Sequence, residues 1–402
     1  MNKKNPGKNS NLKLAIIVSH PIQHFAPVYQ LLNKQSNLDL TVVYYTDAGA
    51  KSYYDAGFNK QIAWDIDLLT GYKSIILNPG SKVPNGFTLK AYKLWNVLNN
   101  ENPDVILCYG YATIFQWIAW SWALLKRKKI LYFSDSTSVG HHRNWIKRIV
   151  KNLPVRLFFQ NVNLFLSVGD RNELYLKQYG AKQENIRRCP LSVDIKRFRV
   201  EEKQQIEWRN NIRTELKIAP EDFVLLFSGK FNNGKRPQDL IFAVLKLAEQ
   251  KIPVTAILLG DGETLPELKK AISKSKYSNS VHFLGFINQS KIVRYQYAAD
   301  CCVMPSELDA HPLVVTEAIA CGLPVIASNN IGCVGPTDTV QDGVNSFVYP
   351  TGDIDVLIKC IKKMQSDQKL WSKMSISSQE IAKTQDIEVA AETIIKTVIE
   401  LT

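Results

Sequence analysis

Short apolar runs, each closed by a polar or glycine-bearing turn and then by a longer stretch of helical spacing, recur along this 402-residue chain. In the first half LKLAIIVSH (12–20) predicts a buried strand, FAPVYQLLNKQ (25–35) a helix and DLTVVYYTD (39–47) a second strand. DVILCYG and KILYFSDS predict further strands on either side of a tryptophan-rich helix from Thr113 to Leu125. VNLFLSVGD followed by RNELYLKQYGA repeats strand and helix, and NIRRCPLSVD predicts a short closing strand. The pattern then restarts with FVLLFSGK, a helix over 236–250, VTAILLGDG, VHFLGFI, CCVMPS, PVIAS and SFVYP. Strands alternating with helices of this length predict parallel sheets joined by crossover helices. Two such sets predict two doubly wound α/β domains, 1–195 and 196–402, hinged around Pro190–Ala219 near a polar helix (Glu201–Leu216). The final helix is expected to pack back on the first domain. In sheets of this kind ligands bind beyond the carboxyl ends of the strands, so the loops there are expected to hold the chemistry.

Length supports two domains, and 45% hydrophobic against 22% charged residues excludes a disordered chain. The seven cysteines (108, 189, 301, 302, 321, 333 and 360) are scattered through apolar runs with no zinc-ligand spacing, so reduced thiols in a cytosolic protein are expected. The apolar run near the start is too short for a signal peptide, and no stretch approaches the roughly 20 apolar residues that span a bilayer. Charge changes the picture more. Residues 1–195 hold 25 Lys+Arg and 12 Asp+Glu, a surplus of 13, whereas residues 196–402 hold 25 of each. The whole excess lies in the first half and points to an anionic partner there. Lys126–Lys129 follow the helix of Trp117, Trp120 and Trp122, and the segment His141–Arg156 places Arg143, Lys147, Arg148 and Lys151 along one helical side. This combination predicts contact with an anionic membrane surface, at the inner face of the cell membrane. With no recognised binding module or aromatic platform, nucleic acid is not expected as a partner.

Three loops of the second half carry candidate chemistry. Gly229–Pro237 (GKFNNGKRP) follows a strand and offers Lys230 and Lys235 as cations that could clamp a diphosphate. Leu259–Glu263 (LGDGE) forms a tight turn at Gly260 and Gly262. Pro305–Ser328 (PSELDAHPLVVTEAIACGLPVIAS) runs from a strand end through a polar loop into a helix starting at Pro312–Leu313. Unpaired N–H groups and the dipole of a helix start suit a diphosphate, and Glu317 one turn in could reach the hydroxyls of an attached ribose. In the first half Ser19–Phe25 follows the first strand without a GxGxxG, which argues against a nicotinamide or flavin dinucleotide. His20, His24, Ser134 and Asp135 stand at the same edge.

The order strand-GK…K, strand-GDGE, VHFLGFI, AADCCVMPS and D-x7-E-AIACGLPVIAS resembles the retaining glycosyltransferase family 4, over roughly residues 160–400. The resemblance implies a GT-B fold, two Rossmann-like doubly wound domains facing across a cleft. It implies that Lys230 and Lys235 neutralise the donor diphosphate, Lys230 standing where Arg is more common and so giving up a bidentate fork. Gly229, Gly260, Gly262, His311, Pro312 and Leu313 would line the donor seat, Phe286 and Ile287 would lie beside the base, and Glu317 would hold the ribose. The first glutamate of the usual Glu-x7-Glu pair is replaced by Asp309, with Glu307 two residues earlier as the other candidate for the sugar. Asp135, with His20, becomes the candidate acceptor-side base by position, His24 and Ser134 lie on the acceptor side, and Ser167 and Val193–Asp194 are expected to frame the cleft.

The resemblance therefore implies a retaining, metal-independent glycosyltransferase that uses a nucleotide-sugar as co-substrate and needs no other cofactor. It would act on a glycan or lipid-linked acceptor in cell-surface polysaccharide assembly. Two other readings share the nucleotide cradle: a nucleotide-sugar 2-epimerase and a non-catalytic nucleotide-sugar-binding protein.

Overall fold

The computed structural model describes residues 11–402 except 56, 59, 84–88 and 139–144, together with the side chains of 89 and 145–151. The strands are β1 (Leu12–Val18), β2 (Leu38–Tyr44), β3 (Tyr53–Asp55), β4 (Lys60–Ile62), β5 (Lys73–Ile76), β6 (Val105–Tyr109), β7 (Lys129–Ser134), β8 (Leu164–Ser167) and β9 (Ile186–Arg188). The second set is β10 (Phe223–Ser228), β11 (Val254–Leu259), β12 (Val281–Gly285), β13 (Cys301–Met304), β14 (Val325–Ser328) and β15 (Ser346–Tyr349). Between them run α1 (Ala26–Asn33), α2 (Lys93–Glu101), α3 (Ile114–Leu125), α4 (Trp145–Gln160), α5 (Asp170–Gln178), α6 (Glu202–Glu215) and α7 (Pro237–Glu249). These are followed by α8 (Leu265–Ile272), α9 (Gln289–Ala298), α10 (Leu313–Ala320), α11 (Ile354–Ser366), α12 (Gln368–Lys383) and α13 (Ile387–Glu400).

The larger sheets have the orders β5-β2-β1-β6-β7-β8-β9 and β12-β11-β10-β13-β14-β15, with every neighbouring pair parallel. Continuous apolar runs such as Leu14–Val18 and Val224–Phe227 form these central strands because both faces are covered by helices. Each sheet reverses direction of growth once, between β1 and β6 and between β10 and β13. Those two switch points open crevices at the carboxyl ends of their strands, and the crevices face each other. The fold class is α/β with two Rossmann-like sheets, as the strand pattern predicts.

The sequence pattern did not predict β5 or the antiparallel hairpin β3–β4. β5 is a half-buried edge strand, and the hairpin pairs three residues with three through Tyr53 and Ile62. Both lack the apolar run that marks a buried strand. Of the tryptophans of α3, Trp122 is buried and Trp117 and Trp120 are half-buried, and each indole N–H is bonded. Trp117 Nε1 donates to the Tyr111 carbonyl (3.0 Å), Trp120 Nε1 to the Phe158 carbonyl (3.1 Å) and Trp122 Nε1 to Asn99 Oδ1 (2.9 Å). The basic side chains of Arg143, Lys147, Arg148 and Lys151 lie outside the described residues.

The chain crosses between the halves at two adjacent points. Val193 N donates to the Gln385 carbonyl (3.1 Å) and Ile387 N to the Val193 carbonyl (3.2 Å). Beyond them α13 packs on α1, with Ile387, Ala390, Ala391, Ile394 and Val398 buried in the core of the first sheet.

Candidate active site

A cavity of about 840 Å³ lies where the two switch points meet. From the first sheet it is lined by Ile22 and Phe25 beyond β1, Tyr109–Ala112 at the end of β6, and Phe133–Thr137 at the end of β7. From the second it is lined by Lys235 beyond β10 and by Leu308–His311 and Leu313 beyond β13. Its wall on the first side is aromatic: Phe25 meets Tyr109 at 4.8 Å, and Tyr109 meets Phe133 at 4.9 Å between ring centres. Mixed aromatic and carboxylate walls of this size suit a ligand with one apolar face and several hydroxyls.

The lysine loop is shaped by the glycine turn beneath it. Gly260 adopts φ +129° and Gly262 φ +154°, and a Cβ on either would lie 1.9 Å from the Gly229 carbonyl oxygen or 2.4 Å from that of Phe231. Phe231 N donates to the Asp261 carbonyl (2.9 Å), and Gly229 N to that of Leu259 (3.0 Å). Gly260 and Gly262 therefore seat the loop that carries Lys230 and Lys235, which explains their spacing by close backbone approach.

Both lysines are ion-paired. Lys235 Nζ bonds Asp309, so the loop after β10 and the loop after β13 are closed on each other. Lys230 Nζ lies 3.0 and 3.2 Å from the two carboxylate oxygens of Asp55, on the hairpin of the other half, and 4.9 Å from the centre of the Phe58 ring. Burial pushes the Asp55 carboxyl up, but Lys230 and the N–H groups of Phe58 and Gly57 outweigh it and hold it below the ordinary range. Phe58 in turn packs edge-on against Phe286 at 5.2 Å, and Trp64 approaches the same ring at 6.0 Å. Sequence reasoning missed Asp55, Phe58 and Trp64, because nothing in their local pattern ties them to a loop some 175 residues away.

The helix start is as the sequence predicts: Pro312 is the extended residue before α10, and Leu313 reaches the cavity. Glu317, one turn in, is only 2% exposed. Burial raises its carboxyl to about 7, against lowering contributions from Gln289 and Arg197. His24 also feels Arg197, and burial first and that charge second push its imidazole down to about 3, so it is neutral at physiological pH. His20 is likewise lowered by burial, and its Nδ1 lies 2.8 Å from Ser19 Oγ. Neither histidine lines the cavity. Glu307 faces Arg236 (3.4 Å) and also lies outside the lining, so the structure places Asp309 and not Glu307 beside the cleft.

Asp135 and Ser134 do line it. Asp135 opens into the cavity but is recessed from bulk water, which raises its carboxyl, while His311 pulls it down. His311 is 5% exposed, and among the described residues neither ring nitrogen has a hydrogen-bond partner. Among the described residues no group of three or more His, Cys, Asp or Glu side chains is placed to hold a metal ion.

Across the cleft the halves hold one another through loop carboxylates. Asp170 N donates to Asp338 Oδ2 (2.7 Å), and Thr337 N donates back to Asp170 Oδ2 (2.8 Å). Arg171 Nη1 donates to the carbonyls of Asn329 (2.7 Å) and Ile331 (2.9 Å). Ser167 and the Val193–Asp194 turn sit close to these crossings rather than in the cavity lining.

Residues 209–380 match the family described as glycosyl transferases group 1. The chain is 30% identical over 196 residues to a D-inositol 3-phosphate glycosyltransferase of Streptomyces bingchenggensis, a stretch that is 46% of this chain and 41% of that protein. Over 334 residues it is 25% identical to the N,N'-diacetylbacillosaminyl-diphospho-undecaprenol alpha-1,3-N-acetylgalactosaminyltransferase of Campylobacter jejuni, covering 80% of this chain and 82% of that one. Among solved structures Anabaena HepE in complex with UDP superposes with a TM-score of 0.74 at 18% identity, over 97% of this chain and all of that one. The lipopolysaccharide glycosyltransferase WaaG superposes at 0.64 and 16% identity, over 97% and 99%. Residues 209–380 are thus a glycosyl transferases group 1 domain, and the two facing sheets are a GT-B fold.

Proposed function

We propose that this protein is a glycosyltransferase that moves a sugar from a nucleotide-sugar to a hydroxyl of a glycan or lipid-linked acceptor, with retention at the anomeric carbon and without a metal ion. The reading carries the family 4 assignment, with residues 1–195 as acceptor domain and 196–402 as donor domain. The observation that supports it most is the meeting of a helix start at Leu313, Lys235 and a carboxylate-bearing aromatic wall in one cavity between the two switch points. Lys230, Lys235 and the free N–H groups of α10 would stabilise the charge that develops on the departing diphosphate. Binding of UDP or UDP-glucose by HepE, and the undecaprenyl-linked acceptor in the Campylobacter relative's name, favour a uridine nucleotide and a lipid-linked glycan.

The same reading places the protein on the inner face of the cell membrane. Support comes from the charge surplus of the first half and from Leu125 (72% exposed) and Leu153 (77% exposed). Leu125 ends α3, which stacks Trp120 on Phe158 of α4 at 5.7 Å, so these leucines project from a packed helix pair.

A thermal-shift screen of UDP-, GDP-, ADP- and CMP-linked sugars tests the donor, since a ligand bound only by the folded state raises apparent stability. Anomeric configuration of the product by NMR, with and without EDTA, then tests retention and metal independence. Interconversion of the donor sugar with no acceptor present would instead indicate a 2-epimerase.

A further inference from the structure

The two halves touch at both ends of the cleft, and the two ends are built differently. In the first sheet β8 and β9 lie at one edge, and in the second β14 stands beside the edge strand β15. At that end the chain itself crosses, beside Val193 and Ile387, and Asp170 and Arg171 bond the loop after β14. β5 and β12 are the opposite edges. There residues 53–65, which run between β2 and β5, meet the loops after β10 and β12. No chain crossing ties this second end.

Three sets of contacts fasten it. Both carboxylate oxygens of Asp55 lie on Lys230 Nζ, at 3.0 and 3.2 Å. Phe58 lies over the same ammonium and stands edge-on to Phe286. Asn288 Nδ2 donates to the Ala63 carbonyl (2.7 Å) and Ser290 N to Asp65 Oδ2 (3.2 Å), while Ser290 Oγ donates to the same carboxylate. The backbone also comes close, since a Cβ on Gly57 would stand 2.6 Å from Lys230 Cδ. Lys235 lines the cavity, whereas Lys230 of the same loop is capped by these residues and does not. The hairpin β3–β4 pairs only with itself, so it can lift without breaking either large sheet. Partly exposed polar contacts are individually weak, and a ligand that binds the same cation more strongly can displace the set.

We propose that residues 53–65 are a releasable strap over the donor side, which a nucleoside diphosphate must detach from Lys230 and from the loop after β12 in order to enter. This rests on the glycosyl-transfer reading above, in which Lys230 is a diphosphate cation. With the strap fastened, the Asp55 carboxylate takes the place of a phosphate oxygen on Lys230 and repels the rest of an incoming diphosphate. With the strap lifted, that negative charge leaves and the ammonium is free. The crossing at the far end keeps the halves in register, so opening is confined to the strapped end.

The full chain tests this with spin labels at Gln61→Cys and Lys291→Cys, two exposed positions on either side of the strap contacts. The parent chain, labelled in the same way, gives the background from its own cysteines. UDP, GDP and ADP are added in turn, with binding followed by calorimetry. A nucleotide that binds lengthens the distance between labels by about 3 Å or more. A distance that stays or shortens with nucleotide bound overturns the strap. A second arm needs no ligand: Phe58→Ala with Asp65→Ala loosens the fastening and lengthens or broadens the distance in the free protein. The same pair of substitutions tightens UDP binding about two- to fivefold, through faster association. A distance distribution equal to the parent's, or weaker UDP binding, overturns the proposal, the latter by making these side chains part of the occupied site. Failure of all three nucleotides to bind sinks the nucleotide-sugar reading and the donor's part in release, while lengthening in the ligand-free variant still shows the strap to be detachable.

Discussion

Glu317 shows how much a single residue's place in the fold adds to its place in a motif. The spacing from Asp309 and the helix start were legible in the sequence, because a helix after a strand end advertises itself by its apolar run. Its surroundings were not, since the burial that raises its carboxyl and the Gln289 and Arg197 side chains that partly offset it come from distant elements. With its folded-state carboxyl at about 7 and its unfolded value near 4.3, the native state holds the proton more tightly. The stability this contributes is complete below about pH 4 and is lost as pH rises through 7, a change of ~4 kcal/mol at most. Glu317→Gln is therefore expected to flatten the fall in Tm between pH 5 and 8, and to gain stability at pH 8 relative to the parent chain. Equal pH slopes for the two proteins would refute the burial account. Glu317→Ala should weaken UDP binding without unfolding the chain, and unchanged affinity by calorimetry would remove the ribose assignment.

At the scale of elements, the contrast is between strands that form a sheet centre and strands that do not. Central strands such as β1 and β10 are covered on both faces, so their sequences are nearly pure apolar runs and read without ambiguity. The hairpin β3–β4 is short, half-exposed and paired only with itself, so its sequence gives no such signal. Yet it brings Asp55 to Lys230 and Phe58 to Phe286, both on the donor side. The candidate site was legible where it lies on strand ends of one sheet, and hidden where the other half completes it. On the proposed reading, a diphosphate that binds Lys230 competes with Asp55 for it. Asp55→Asn should accordingly tighten UDP binding roughly two- to fivefold and reduce its sensitivity to pH near the Asp range, as expected for a partly exposed ion pair. Weaker binding in the variant would mean that Asp55 belongs to the occupied site and is not a competitor.

Across the cleft the two halves are joined by reciprocal bonds from loops, and α13 adds apolar side chains to the first core. Asp170 and Asp338 each accept from the other half, and a Cβ at Gly335 would lie 2.2 Å from Asp170 Oδ2. Gly335→Ala should push the halves apart, which small-angle scattering would register as a larger radius of gyration; an unchanged radius would show that the loop yields instead. The surface leucines belong to the same scale. Leu125, Leu153 and Leu157 replaced together by Ser should weaken co-sedimentation with anionic vesicles while thermal stability holds, because these side chains are already in water. Persisting co-sedimentation would dismiss this face as the contact.

The return of α13 to the first sheet has a consequence for how the protein is made. Five of its side chains complete a core whose last strand, β9, ends at Arg188. On the ribosome, that core waits for Ile387–Glu400 while the entire second sheet is synthesised, roughly 10–40 s at ordinary elongation rates. During that interval the surface of α1 that α13 later covers stands open to water and to other chains. The first half is thus the earlier to be written and the later to be finished.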